Sequence, residues 1–195
     1  MKKNITKLGA MALVGIMGMG LATTPVSAAA QKTTDVFYTT SSTGVDADGK
    51  VVMVVPASVS LTKANTAREF MVTMKTADPD ENVYLPKGFE ATVKVASQNK
   101  GKLKEAKGTS TFDYKLLKGA KDSGSEITLT GQTPVEFNLF KATDETTGEI
   151  EQQATVKVED AVVKELEKKA PGTQFNDTLT FSVEGLKGEG LTPIN

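Results

Sequence analysis

Three short motifs carry residue types that could do chemistry, and the first pairs a serine with a lysine. Ser97-x-x-Lys100 has the spacing at which a lysine can activate a serine nucleophile. The further motifs that such a site needs, Lys-Thr-Gly and Ser-Asp-Asn, do not occur in the sequence, and Lys100 lies in a Lys-Gly-Lys turn. The chain also contains no His and no Cys, which excludes a histidine triad and a thiol nucleophile. We therefore expect no catalytic residues and no enzymatic activity.

The other two motifs are carboxylate clusters, whose oxygen ligands suit calcium. Asp46-x-Asp48-Gly49 has the first residues of a calcium loop, but valines and a methionine stand where the further ligands belong. The spacing instead predicts a hairpin turn. Asp78, Asp80 and Glu81 lie in a proline-containing loop that is typical of a solvated loop tip. We expect no bound metal and no other cofactor, with calcium at the second cluster as the minor alternative.

Two facing carboxylates could also hydrolyse a glycosidic bond. Sugar clefts usually contain aromatic platforms, whereas this chain has no Trp and only 3 Tyr. Tyr38 and Tyr114 fall at positions that indicate packing in a sheet. A small carboxylate-dependent hydrolase is therefore the last of the alternatives.

The first thirty residues have the organisation of a secretory signal peptide. Three lysines precede the apolar run 8–22, and small residues permit cleavage after Ala28 or after Ala30. The apolar run is shorter than the roughly 20 residues that a membrane-spanning helix needs. The sequence predicts a secreted, extracellular protein that is associated with the cell surface and has no membrane span in its mature chain.

Charge and length limit the partners and the number of domains. Loss of the three leader lysines changes the formal net charge from −1 to −4, so the mature chain offers no basic field for nucleic acid. About 165 mature residues amount to one domain. We expect a single β-sandwich domain over residues 31–190 with a flexible tail at 186–195.

Alternation of apolar and polar residues dominates the mature chain and predicts strands. Phe89, Ala91, Val93 and Val95 share one predicted face. A second predicted face contains Val135, Phe137 and Leu139. About nine such runs, separated by turn residues, predict an all-β fold, an antiparallel two-sheet sandwich of the immunoglobulin-like or pilin-like kind.

One short helix is predicted near residues 160–170. Asp160 is its predicted N-cap, and Val162, Val163 and Leu166 share one face. Pro171-Gly172 ends it.

Two segments resemble parts of known proteins. Val54-Val55-Pro56-Ala57-Ser58-Val59-Ser60-Leu61 resembles the Val-x-Ile-Pro-Ala-Ser strand pair near the start of many small secreted cell-surface β-sandwich proteins of Gram-positive (Firmicute) bacteria. The segment from Pro171 to Val183 resembles their closing Asp-Thr-Leu-Thr-Phe strand and the last strand of cysteine-free pilin subunits. The chain departs from the WxL wall-binding proteins because it has no Trp. The resemblance implies a pilin-like or adhesin-like surface protein.

Such sandwiches assemble when one subunit's N-terminal extension completes the sheet of the next. Gln31 to Ser42 is a strand-prone segment directly after the cleavage site, and it could be such a donor strand or the ordinary first strand of its own sandwich. The assembly residues that we predict are Val36, Tyr38, Phe175, Leu179, Phe181 and Val183.

The expected role is structural or adhesive, and the expected partners are the protein itself, other surface proteins, or a host or cell-wall ligand. The main alternative is a monomeric carbohydrate- or protein-binding module. Surface sandwiches of this kind sometimes contain a Lys–Asn crosslink, for which Asn176, a lysine of the first strands and a buried Glu136 are the candidates.

Overall fold

The computed structural model describes residues 45–78, 83–142, 144 and 147–192, together with the backbone of residues 33–39. Strands make up 50% of the residues and helix 5%. In chain order the elements are β1 (Thr33–Thr39), β2 (Val51–Val54), β3 (Ser58–Thr62), β4 (Ala67–Thr76), β5 (Glu90–Ser97), β6 (Lys102–Glu105), β7 (Thr111–Asp113), β8 (Lys115–Lys118), β9 (Ser125–Ile127), β10 (Val135–Lys141), β11 (Glu149–Lys157), α1 (Asp160–Leu166), β12 (Phe175–Asn176) and β13 (Thr178–Lys187).

The strands form two sheets. The larger has the order β10-β5-β13-β1-β12-β6-β7, with β3 beside β1, and the smaller has the order β2-β4-β11-β8-β9. The predicted all-β sandwich with one short helix is confirmed. The antiparallel prediction fails at one place, because β1 runs parallel to β12 and β13. No hairpin joins the first strand to the last, so no turn forces them to run in opposite directions.

The core lies between the two sheets and follows the alternation of the sequence. Along β5, Ala91, Val93 and Val95 are fully buried while the residues between them are partly exposed. Phe181 of the larger sheet meets Phe70 of the smaller sheet edge to face, with ring centroids 6.4 Å apart. It also meets Phe137 at 5.4 Å. The contact between Phe70 and Phe181 therefore joins the two layers, in the edge-to-face geometry that the ring quadrupoles favour.

The predicted common face of Val135, Phe137 and Leu139 is wrong at Leu139. The register of β10 against β5 shifts between Glu136 and Asn138, which marks a β-bulge. One extra residue reverses the alternation after it. Phe137 is therefore 2% exposed in the core, whereas Leu139 is 50% exposed.

Helix α1 is shorter than predicted. Its N-cap is Glu159 rather than Asp160, no side chain caps it, and it ends at Leu166. The predicted face is confirmed, because Leu166 is buried and Val162 and Val163 pack against the core.

The predicted leader lies outside the described residues. At the other end, β13 continues to Lys187, two residues into the predicted tail. The Glu189 N–H donates to the Lys87 carbonyl, and the Ala47 N–H donates to the Thr192 carbonyl. Among the described residues, none of the helices is long and apolar enough to cross a membrane.

Candidate assembly site

The predicted donor strand occupies a position inside the larger sheet that we call the β1 slot. One wall of the slot is β3, which pairs antiparallel with β1 from Thr33↔Thr62 to Phe37↔Ser58. The other wall is the last strand, β12 and β13, which pairs parallel with β1 at Thr34↔Phe175 and at Tyr38↔Leu179. In this structure β1 therefore pairs within its own chain.

The two walls differ in their other partners. β13 also pairs with β5 on its far side, and β12 pairs with β6. Among the described strands, β3 pairs with β1 alone. β3 therefore belongs to the larger sheet only through β1, although its buried side chains also contact the core.

Both walls present buried apolar side chains. Val59 and Leu61 on β3 are 8% and 1% exposed. On the last strand, Phe175 and Leu179 are 2% and 0% exposed. The apolar side chains of both walls are thus already part of the sandwich core.

The structure brings together part of the predicted site. The Val36 backbone pairs with Val59, and the Tyr38 backbone pairs with Leu179, while both side chains lie outside the described part of the chain. Phe175 and Leu179 pair directly with β1. Phe181 and Val183 lie beyond Thr180, the last residue that pairs with β1, and they pair with β5.

A buried polar network, which the sequence analysis missed, fixes the last strand. Asp177 is 1% exposed and separates β12 from β13. Its Oδ2 accepts hydrogen bonds from the Ser97 hydroxyl at 2.5 Å and from the Tyr114 hydroxyl at 2.8 Å. Its Oδ1 accepts from the backbone N–H groups of Asn99 at 2.9 Å and Thr178 at 2.8 Å. Four donors thus satisfy both oxygens of this buried carboxylate.

The sequence does carry a signal for this network. Phe175, Asp177, Leu179 and Phe181 share one parity, so Asp177 is the single polar residue in an otherwise inward-facing set. A carboxylate at such a position needs internal donors.

The network also explains the Ser97-x-x-Lys100 motif in structural terms. The Ser97 hydroxyl donates to Asp177 and accepts the Gly101 N–H at 2.7 Å. Lys100 and Gly101 have φ values of 60° and 69°, as expected for a tight bend between β5 and β6. Through these two hydrogen bonds, Ser97 fixes the bend beside the last strand.

The predicted turn at Asp46-x-Asp48-Gly49 is present. Gly49 has φ 68° and donates its N–H to the Asp46 carbonyl. Asp46 is 2% exposed, and its Oδ1 accepts the Val51 N–H at 3.0 Å. Its Oδ2 has no hydrogen-bond partner among the described residues.

Among the described residues, which include Asp46, Asp48 and Asp78, no group of three or more acidic side chains is placed to hold a metal ion. Asp80 and Glu81 of the second cluster lie outside the described residues.

The suggested crosslink lacks its buried acid, because Glu136 is exposed on the edge strand β10. Asn176 pairs with Lys104 of β6.

Charge pairs join neighbouring strands on the outer face of the larger sheet. Glu90 of β5 binds Lys141 of β10 at 2.8 Å and Lys187 of β13 at 3.0 Å. Hydrogen bonds from Lys141 and then Lys187 hold the pKa of Glu90 below its ordinary value, and Glu90 raises the pKa of Lys141. On the smaller sheet, Glu159 and Glu126 raise the pKa of Lys115.

Comparison of the chain with protein-family models, with curated proteins and with solved structures gives no match in any of the three.

Proposed function

We propose that this chain is an exported, non-enzymatic surface or extracellular-matrix protein with a structural or adhesive role, whose copies assemble by exchanging β1. The observation that carries the proposal is the β1 slot. A strand from the start of the mature chain occupies a position between β3 and the last strand. A second copy's β1 could make the same pairs, because every bond to β1 from the slot walls is independent of which chain supplies it.

Export rests on the sequence of the first thirty residues, and the surface location rests on the resemblance to Gram-positive surface sandwiches. The N-terminal sequence and intact mass of the protein from culture medium test export. Cleavage after Ala28 or Ala30 is the expected result. An uncleaved chain that stays inside the cell would contradict it.

The chain connection favours exchange. The connection from β1 to β2 is residues 40–50. Because β1 is the first strand, only this one connection joins it to the other strands. It can therefore leave its own sheet without changing the order of the strands that follow it. The cost is the loss and recovery of one strand's pairing, which is why exchange of identical elements is an inexpensive route to assembly.

The decisive experiment measures the size of the mature protein after refolding from denaturant at increasing concentration. Light scattering and negative-stain imaging are expected to show multimers or fibres whose proportion rises with concentration. An excess of a synthetic peptide spanning residues 31–42 should occupy free slots and shorten the assemblies. A peptide with Val36→Asp and Tyr38→Asp is the matched control and should have no effect.

Substitutions in the full chain provide a second control. Val36→Asp with Tyr38→Asp should abolish assembly, whereas Met71→Asp, at a 40% exposed position on the smaller sheet, should leave it unchanged. A protein that refolds as a monomer at every concentration and captures no peptide would contradict the proposal.

The second candidate is a monomeric binding module for a carbohydrate or a protein. It is favoured by the pairing of β1 within its own chain and by an open groove of about 370 Å³ between β9 and β10. Ile127 and Val135, which are partly exposed, contribute apolar lining to this groove. A monomer without peptide exchange would favour this candidate.

A further inference from the structure

We propose that the protein forms a two-fold dimer in which β10 pairs antiparallel with β10 of a second copy. This interface lies at the opposite edge of the larger sheet from β3. It uses no residue of β1, so it stands or falls independently of strand exchange.

Among the described strands, β10 is an edge strand of the larger sheet. It is seven residues long and pairs with β5 on one side, and no described strand pairs with its other side. The unpaired backbone groups of such an edge are a template for another strand. Leu139, at 50% exposure, has the largest exposure of the large hydrophobic side chains in the described residues.

The solvent-facing residues of this edge are self-complementary. Glu136, Leu139 and Lys141 are exposed and lie opposite Lys94, Thr92 and Glu90 of β5. A two-fold axis at Leu139 places the two Leu139 side chains opposite each other. The same axis places each Glu136 opposite Lys141 of the other copy, so opposite charges meet twice.

The β-bulge makes this register possible. Directly opposite residues in an antiparallel pair must face the same side of the sheet. Without a bulge, a strand centred on Leu139 would place Lys141 opposite Phe137, which is buried. With Phe137 and Asn138 sharing one position, as they do against β5, Lys141 faces Glu136 and Phe140 faces the bulge.

Charge complementarity also identifies the occupant. The charged residues of β10 are Glu136 and Lys141. They attract each other across the interface when β10 pairs with β10 of a second copy. Lys141 also binds Glu90, but its side chain is 64% exposed and its ammonium group has three donors. A two-fold interface of this kind closes as a dimer.

The absence of cysteine allows a clean test by crosslinking. Residues directly opposite each other in an antiparallel pair have Cα atoms about 4.5–5.5 Å apart, within the range for a disulfide. The Leu139→Cys variant of the mature chain should therefore oxidise to a covalent dimer. Glu136→Cys is the matched control, because the two copies of residue 136 would be ~14 Å apart along the strands.

Charge reversal tests the register. Glu136→Lys and Lys141→Glu should each raise the dimer dissociation constant about tenfold, since each sets like charges opposite each other. The double variant should restore the wild-type value, and Lys168→Glu, just after helix α1, should have no effect. Sedimentation velocity gives the dissociation constants, and circular dichroism confirms that each variant folds.

Three results would overturn the proposal. They are a monomeric protein whose Leu139→Cys variant gives no covalent dimer, equal crosslinking at positions 136 and 139, and a double variant that stays as weak as the single variants. Failure of strand exchange is read separately, because the refolding and peptide-capture experiment involves no residue of β10, and the Leu139→Cys variant leaves β1 unchanged.

Discussion

The two walls of the β1 slot are built in different ways. The last strand has a partner strand on both sides, and the four hydrogen bonds to Asp177 hold it at the junction of β12 and β13. β3 has β1 as its only described strand partner, and it is held otherwise by the burial of Val59 and Leu61. One wall is fixed by polar bonds of defined geometry, and the other by apolar burial, which has no direction.

This difference indicates how a strand could be exchanged without unfolding the sandwich. Loss of β1 removes the one described strand partner of β3 but leaves the last strand paired with β5 and β6. We therefore expect the last strand to remain a rigid template while β3 adjusts.

The largest effect is expected from Asp177→Ala. The substitution leaves the Ser97 and Tyr114 hydroxyls and two backbone N–H groups without their acceptor. Each buried unsatisfied donor costs about 1–3 kcal/mol, so the free energy of unfolding should fall by more than about 3 kcal/mol. Urea denaturation followed by circular dichroism measures it.

Asp46→Ala is the matched control for a buried aspartate. It removes the bond that the side chain accepts from the Val51 N–H, and the other carboxylate oxygen has no partner among the described residues. The loss of stability should be about 1 kcal/mol. Equal losses for the two variants would show that the Asp177 network does not fix the last strand.

A pair of leucines distinguishes the slot wall from the opposite edge. Leu61→Ala removes a side chain that is 1% exposed on β3 and should cost about 2–5 kcal/mol. Leu139→Ala, at 50% exposure on β10, should change stability by no more than about 0.5 kcal/mol. Similar losses for both, in denaturation at a dilution where the protein is monomeric, would contradict the assignment of β3 to the core.

The sequence predicted the fold where alternation is regular. β5 is an example, because each apolar residue follows a polar one and the buried face results directly. The prediction failed at the bulge in β10. A single extra residue has no signature in the hydrophobic pattern, and it reverses the direction of every side chain after it. The parallel pairing of β1 was also unpredictable, because it depends on which distant strand is adjacent.

The candidate site was predictable in part for similar reasons. The apolar residues Phe175 and Leu179 follow from the pattern and do pair with β1. The Ser97–Tyr114–Asp177 network joins residues that are far apart in the sequence. Only the polar residue at an inward position gave a local signal for it.

Hydrogen exchange should distinguish the two walls of the β1 slot, because it detects local openings that need less free energy than unfolding of the whole sandwich. The backbone amides of β3 that bond β1 should exchange at least about tenfold faster than the β13 amides that bond β5, because β3 can open once β1 leaves. Mass spectrometry of peptides from 58–62 and 180–183 measures both rates. Equal protection in the two segments would mean that β1 and β3 open only with the whole sandwich.

The smallest effect is expected at Glu90, whose ion pairs join β5 to β10 and to β13. Glu90 has its pKa lowered by Lys141 and by Lys187, so its charged form is stabilised in the folded protein. A lowered folded pKa contributes stability above the unfolded pKa and loses it as the pH falls through the folded value. Glu90→Gln should therefore lower the melting temperature slightly at neutral pH and leave it unchanged at strongly acidic pH.

Salt provides the control for this last prediction. The Glu90 side chain is 23% exposed and both lysines are mostly exposed, so added salt should screen the interaction. The difference between wild type and Glu90→Gln at neutral pH should shrink in 1 M salt, where the Debye length is about 3 Å. If the difference persisted at acidic pH and in high salt, it would come from packing at the β5 surface. The ion pairs would then contribute nothing to holding β10 and β13 against β5.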